Sequence, residues 1–85
     1  MIIQKKNIAV LGSTGSIGMR ALDIISSFSD QFNLVLISCN SNESKIQEQM
    51  LKFKPKHVVI NAPSGYTNLK SNNLRGSTKI HCGER

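Results

Sequence analysis

Apolar residues fall into two alternating patterns along this chain: short unbroken runs, and longer stretches where they recur every third or fourth position. Residues 7–11 (NIAVL) form a run that ends at a glycine, which predicts a buried parallel strand. Over residues 16–28, Ile17, Ala21, Leu22, Ile24, Ile25 and Phe28 recur at helical spacing. Ser29 and Asp30 end that helix. Residues 33–39 (NLVLISC) are again nearly all apolar and predict a second strand. Asn40, Ser41 and Asn42 then offer short polar side chains suited to capping a helix start. Ile46, Met50 and Phe53 mark one face of a second helix, and Pro55 stops it. Residues 56–61 (KHVVIN) predict a third strand.

Strand, helix, strand, helix, strand is the pattern of a parallel sheet with helical crossovers. The fold class is therefore α/β, a Rossmann-like half (βαβαβ) of an incomplete doubly wound domain. Right-handed crossovers set the expected strand order at 3-2-1 and leave the first strand with an unpaired edge. Residues 1–61 hold this core. Residues 62–85 read as a weakly patterned tail of the same domain. In it, residues 62–65 are expected to turn. Residues 66–75 have only Tyr66, Leu69 and Leu74 as apolar anchors, which predicts a short or frayed helix, or loop. Residues 79–82 are expected to start a fourth strand.

Composition narrows the field without deciding it. With 85 residues the chain holds one domain at most and buries a modest core. No apolar run approaches membrane-spanning length, and residues 1–6 do not read as a signal peptide. Cys39 and Cys82 match no metal spacing and are expected to be free thiols in a reducing compartment. Eleven basic residues against five acidic ones give a net charge of +6, which favours anionic partners. A nucleotide and a nucleic acid both meet that description.

The loop between the first strand and the first helix carries the chemistry. Gly12, Gly15 and Gly18 space out as G-x-x-G-x-x-G within GSTGSIG. The commonest dinucleotide fingerprint, G-x-G-x-x-G, is one residue shorter at its first step, but the context of strand before and helix after is the same. Gly12 lets the chain turn sharply out of the sheet, with positive φ where needed. Gly15 removes a Cβ so that backbone can approach a pyrophosphate, and Gly18 lets helix and strand pack closely. Free N–H groups of the first turn, aided by the helix dipole, then face the phosphates. Ser13, Thr14 and Ser16 are expected to add hydroxyl donors. A Walker-type loop is excluded because no lysine lies in it.

Residues just after the second strand meet the adenosine ribose in this fold, where a carboxylate selects NAD and a basic residue accommodates the 2′-phosphate of NADP. Here the strand end reads Asn40-Ser41-Asn42, with Glu43 next and Lys45 beyond. No carboxylate sits at the strand end itself, which leans toward NADP.

These residues resemble a known family. The run from Val10 to Gly18 looks like the opening of 1-deoxy-D-xylulose 5-phosphate reductoisomerases. Leu22-Asp23-Ile24-Ile25, the Phe32 strand, Gln49, Phe53, Pro55, Val58-Val59 and residues 79–84 (KIHCGE) continue the likeness. The resemblance implies an NADPH-dependent oxidoreductase and isomerase. Such enzymes convert 1-deoxy-D-xylulose 5-phosphate to 2-C-methyl-D-erythritol 4-phosphate in isoprenoid precursor synthesis. They use a divalent cation, Mg or Mn, and work as a cytoplasmic or plastid homodimer. It implies that Thr14, Gly15, Ser16 and Ile17 contact the cofactor phosphates. Asn40, Ser41 and Asn42 fall where the family contacts the adenosine ribose and its 2′-phosphate. The family usually has glycine and then a basic residue where this chain has Asn40 and Ser41, which removes a charged contact to that phosphate; Lys45 is the substitute at hand. Family members are several times longer. Their metal-binding carboxylates and sugar-phosphate site lie beyond residue 85, so no catalytic or metal-binding residue is assigned here. The chain is expected to be an N-terminal fragment that is inactive alone. The rival readings are another NAD(P)-binding oxidoreductase or epimerase fragment, and a non-catalytic nucleotide- or nucleic-acid-binding module.

The remaining polar residues take plainer roles. Asp23 and Asp30 read as solvated, and His57 as structural. His81 and Cys82 point to opposite faces if extended, so they are not read as a metal site. Glu84 reads as a turn residue. Lys52, Lys54 and Lys56 form a solvated basic face, and 5% aromatics supply base-stacking platforms poorly.

Overall fold

The computed structural model describes residues 5–72 and 78–83. Four strands and three helices alternate: β1 (Lys6–Val10), α1 (Ser16–Ser27), β2 (Phe32–Cys39), α2 (Glu43–Phe53), β3 (His57–Ile60), α3 (Pro63–Asn72) and β4 (Lys79–Cys82). All neighbouring strands pair in parallel, in the order β1-β2-β3-β4. The expected 3-2-1 order is present, and β4 extends it beyond β3. Sequential order with right-handed crossovers puts all three helices on one face of the sheet.

The core lies between that face and the helices. Register brings Val10, Ile37, Val58 and Ile80 side by side across the four strands, and all four are buried. Leu22 and Ile25 of α1, Ile46 and Met50 of α2 and Leu69 of α3 close over them. A bulge in β2 opposite Ile8 and Ala9 shifts the register by one residue. It lets both Leu34 and Ile37, an odd number of residues apart, face the helices. On the other face, Ala9, Leu36, His57 and Lys79 form the matching row, and none is buried.

One expectation about residues 62–85 needs correction. Residues 62–65 do not form a separate turn, because α3 begins at Pro63. Proline suits the first helical position, since its missing N–H would have no partner there and its φ is already helical. Of the forms expected for residues 66–75, the described residues 66–72 take the short helix and not the loop, since Leu69 is fully buried and Tyr66 packs against the core. The anchor expected at Leu74 and the turn expected at Glu84 lie outside the described residues. The start of β4 is held by Lys79 N–H donating to the Lys56 carbonyl at 2.8 Å and by the Thr78 hydroxyl donating to the Pro55 carbonyl at 2.6 Å.

Candidate cofactor-binding site

Parallel strands present their C-terminal ends along one edge of the sheet, and ligands of open α/β folds bind outside that edge. Here the edge gathers residues 11–18 after β1, Asn40–Asn42 after β2, Asn61 after β3 and Gly83 after β4. The glycine loop is fixed to β2 from below. Gly12 adopts φ 69°, the left-handed conformation that glycine tolerates. Its N–H donates to the Ser38 hydroxyl at 3.2 Å, and the Ser13 N–H donates to the Ser38 carbonyl at 2.8 Å. The Gly15 N–H closes the turn onto the Gly12 carbonyl at 3.1 Å. Gly15 caps α1 with extended backbone and no side-chain hydrogen bond. The first intrahelical bond comes from the Met19 N–H to the Gly15 carbonyl. The N–H groups of Ser16, Ile17 and Gly18 therefore have no helical acceptor and lie at the positive end of the dipole.

The glycines do different work. A Cβ on Gly18 would collide with the Gly12 carbonyl and lie 2.7 Å from the Ser13 Cα, so its absence is what lets α1 cross the loop. A Cβ on Gly15 would make only ordinary contact, 3.5 Å from the Gly12 carbonyl oxygen, and its φ of −80° is open to any residue. The protein's own packing does not ask for glycine at 15. A ligand lying against the loop backbone would.

One expected donor faces the wrong way. Ser13 is fully buried, and its hydroxyl donates to Gln49 Oε1 at 2.7 Å rather than lying open for a phosphate. Gln49 Nε2 in turn donates to the Ser13 carbonyl at 2.8 Å. This pair of bonds turns Ser13 under the loop toward α2. Thr14 is half-buried, while Ser16 and Ile17 are exposed, so Thr14 and Ser16 are the hydroxyls left at the surface. The one sign of this role in the sequence is the position of Gln49, a polar residue on the apolar face marked by Ile46, Met50 and Phe53.

At the end of β2, Asn40 and Ser41 are exposed. The side-chain cap of α2 is Asn42, its Oδ1 accepting from the Lys45 N–H at 3.3 Å, while the Ser41 carbonyl accepts from the Glu43 N–H at 2.8 Å. The Asn40 carbonyl accepts from the Ala62 N–H at 2.9 Å, which ties this loop to the end of β3. Glu43 Oε1 accepts from Asn68 Nδ2 of α3 at 3.2 Å, so the nearest carboxylate is committed to α3. Beneath Asn42, the Cys39 thiol contacts its carbonyl at 3.8 Å. Burial pushes the Cys39 thiol pKa above its ordinary value, partly opposed by that backbone contact. Beside the loop, an open groove of about 740 Å³ runs between the free edge of β1 and the outer side of α1, past Ile8, Leu11, Ile17, Ala21 and Ile24. Among the described residues no three His, Cys, Asp or Glu side chains come together as metal ligands.

The chain is similar to known proteins over nearly its whole length. Residues 8–85 match the family model for 1-deoxy-D-xylulose 5-phosphate reductoisomerase. The reductoisomerase of Saccharophagus degradans is 39% identical over 82 residues, covering 94% of this chain and 21% of that protein. That of Chloroherpeton thalassium is 43% identical over 79 residues, covering 93% and 20%. The Zymomonas mobilis enzyme, solved in complex with NADPH, superposes with a TM-score of 0.87 at 31% identity over 94% of this chain and 21% of that one. Another reductoisomerase, solved with NADPH, fosmidomycin and magnesium, superposes with a TM-score of 0.86 at 26% identity over 93% of this chain and 20% of that one. The chain spans about a fifth of the length of these relatives.

Proposed function

The chain belongs to the 1-deoxy-D-xylulose 5-phosphate reductoisomerase family, a family of NADPH oxidoreductases, and from that premise we propose that it is the part that holds NADPH. Across the fold, the pyrophosphate lies against Gly15 and the open N–H groups of Ser16 and Ile17, with the Thr14 and Ser16 hydroxyls beside it. Gly12 shapes the turn, and Ser13 acts through its backbone and its lock on Gln49. The adenosine ribose and 2′-phosphate lie at Asn40, Ser41 and Asn42. The observation that carries this reading is Gly15, a glycine the protein's own packing does not require, at the mouth of a helix whose first N–H groups are open.

When bound, NADPH supplies a hydride to its substrate. The chain's own part is to bind and orient. Backbone donors fixed by Ser38 and Gln49 meet the phosphates without rearranging, which keeps the ordering cost of binding low. The Glu43 carboxylate keeps its charge and accepts from Asn68 of α3, while the strand end itself presents the Asn40 and Asn42 amides and the Ser41 hydroxyl. Substrate turnover and the divalent cation belong to the whole reductoisomerase, and no step through a metal is derived from these residues. We expect the 85-residue chain to bind without catalysing. For the whole protein we expect a sugar-phosphate substrate, a homodimer and a cytoplasmic or plastid setting.

The test is a paired titration with NADPH and NADH, followed amide by amide by NMR. The expected outcome is a response at residues 12–18 with both ligands, and a larger one at Asn40–Asn42 with NADPH. Equal responses at Asn40–Asn42 would place the 2′-phosphate elsewhere. No response at the glycine loop in a folded sample would overturn the proposal.

A further inference from the structure

On the sheet face turned away from the helices, two histidines meet. His57 opens β3 and His81 lies in β4, and register pairs His57 with Lys79 and Val59 with His81. The two therefore occupy diagonal positions on one face. Val58, Ile60 and Ile80, which alternate with them, are buried on the other face. His57 Nδ1 lies 3.0 Å from His81 Nε2, and the rings are 5.2 Å apart at a tilt of 38°. Two imidazole nitrogens at this range need a proton or a cation between them, since two N–H groups or two bare lone pairs would repel.

We propose that His57 and His81 form a surface site for a divalent transition-metal ion that prefers imidazole, such as Zn²⁺ or Ni²⁺. Metal–nitrogen bonds of about 2.0 Å in a tetrahedral site set two ligand nitrogens roughly 3.3 Å apart. The ~90° angle of a square-planar site sets them about 2.9 Å apart. The observed 3.0 Å falls between these values, so the spacing of the two nitrogens suits a single shared ion. An oxygen-seeking cation such as Mg²⁺ does not suit this donor pair. Among the described residues no third His, Cys, Asp or Glu completes the set, so water fills the other positions. Cys82 follows His81 but points to the opposite face, its thiol 3.7 Å from the Asn61 carbonyl. Exposed Lys79, directly across from His57, opposes a bound cation and keeps the site weak. The pair does not depend on the nucleotide reading, because it shares no residue with the glycine loop or the Asn40–Asn42 turn.

The 85-residue chain is titrated with Zn²⁺ and Ni²⁺ at neutral pH while backbone and imidazole NMR signals are followed. Zn²⁺ is expected to shift, and Ni²⁺ to broaden, the signals of His57, Val59 and His81. His57→Asn and His81→Asn are each expected to weaken binding at least about tenfold, the lower end of what losing even an outer-shell partner costs a metal site. Cys82→Ser is expected to leave it unchanged. The amide spectrum of each variant reports that it is folded. Binding that survives either histidine substitution, binding lost with Cys82→Ser, or no Zn²⁺ response in the unaltered chain would overturn the site.

Discussion

A methyl group added at Gly18 has nowhere to go, because backbone atoms of Gly12 and Ser13 already occupy the space. Gly18→Ala is therefore expected to cost about 1–3 kcal/mol of stability, the range for overpacking a tight contact. Gly15→Ala is expected to fold with stability changed by less than about 0.5 kcal/mol, since a poorer cap and a less flexible unfolded chain oppose each other. Its effect should fall on NADPH affinity instead. Urea unfolding and NADPH titration of the two variants separate these outcomes, and an unfolded Gly15→Ala would count against the ligand role of that position. Gln49→Leu removes both partners of Ser13 from a buried place. Leaving those groups unsatisfied is expected to cost about 1–3 kcal/mol, read by unfolding, and to shift the Ser13 and Thr14 amides. Cys39 supplies a pH test. Its folded-state pKa is raised, so the folded thiol keeps its proton while the unfolded one ionises at about 8.5. Its contribution to stability is thus full below that pH and declines as pH rises through it. Cys39→Ala should flatten the alkaline slope of a stability–pH curve.

The elements show how local signals and packing divide the work. Helix α2 starts where short polar residues follow an apolar strand, and the cap is one residue out of three, Asn42. Asn42→Ala is expected to lower stability by about 1 kcal/mol, whereas Asn40→Ala and Ser41→Ala should change it little. Equal losses at all three, measured by thermal unfolding, would mean that they cap together. At its other end α2 closes with Lys54 at φ 51°, just before Pro55, a stop legible from the proline alone. Helix α3 was harder to read. Its polar residues dilute the periodic signal, and what holds it is contact with β3 and β4: Leu69 is fully buried, and Gly65 passes so near Ile60 that a side chain there would meet its Cδ1. Such contacts come from elements far along the chain, which no local window contains.

At the scale of the molecule, the sheet formed by the described residues has two central strands and two edges. Ile37, Val58 and Ile60, on β2 and β3, are fully buried, whereas β1 has one strand neighbour and borders the open groove. Native-state hydrogen exchange is therefore expected to protect β2 and β3 amides most, with β1 and β4 exchanging through smaller openings. Uniformly high protection of β1 would show that its edge is covered in solution. Protection confined to a few amides would show that the 85-residue chain does not hold this sheet by itself.

The sequence by itself determined the order of elements from β1 to β3, the parallel sheet, the turn at Gly12 and the close approach at Gly18. Each of these follows from apolar spacing or from what a glycine permits within a few residues. It also placed the glycine loop and the turn after β2, because both lie directly beside a strand end. Tertiary structure alone decided which groups in those segments remain free. Ser13 turned inward because Gln49, 36 residues away, waits there with a matched donor and acceptor. Glu43 was drawn to α3 by Asn68, and His57 and His81 came within 3.0 Å because β3 and β4 pair in register. Periodicity reports which face a residue lies on, but the partner it finds depends on how separate elements are brought together.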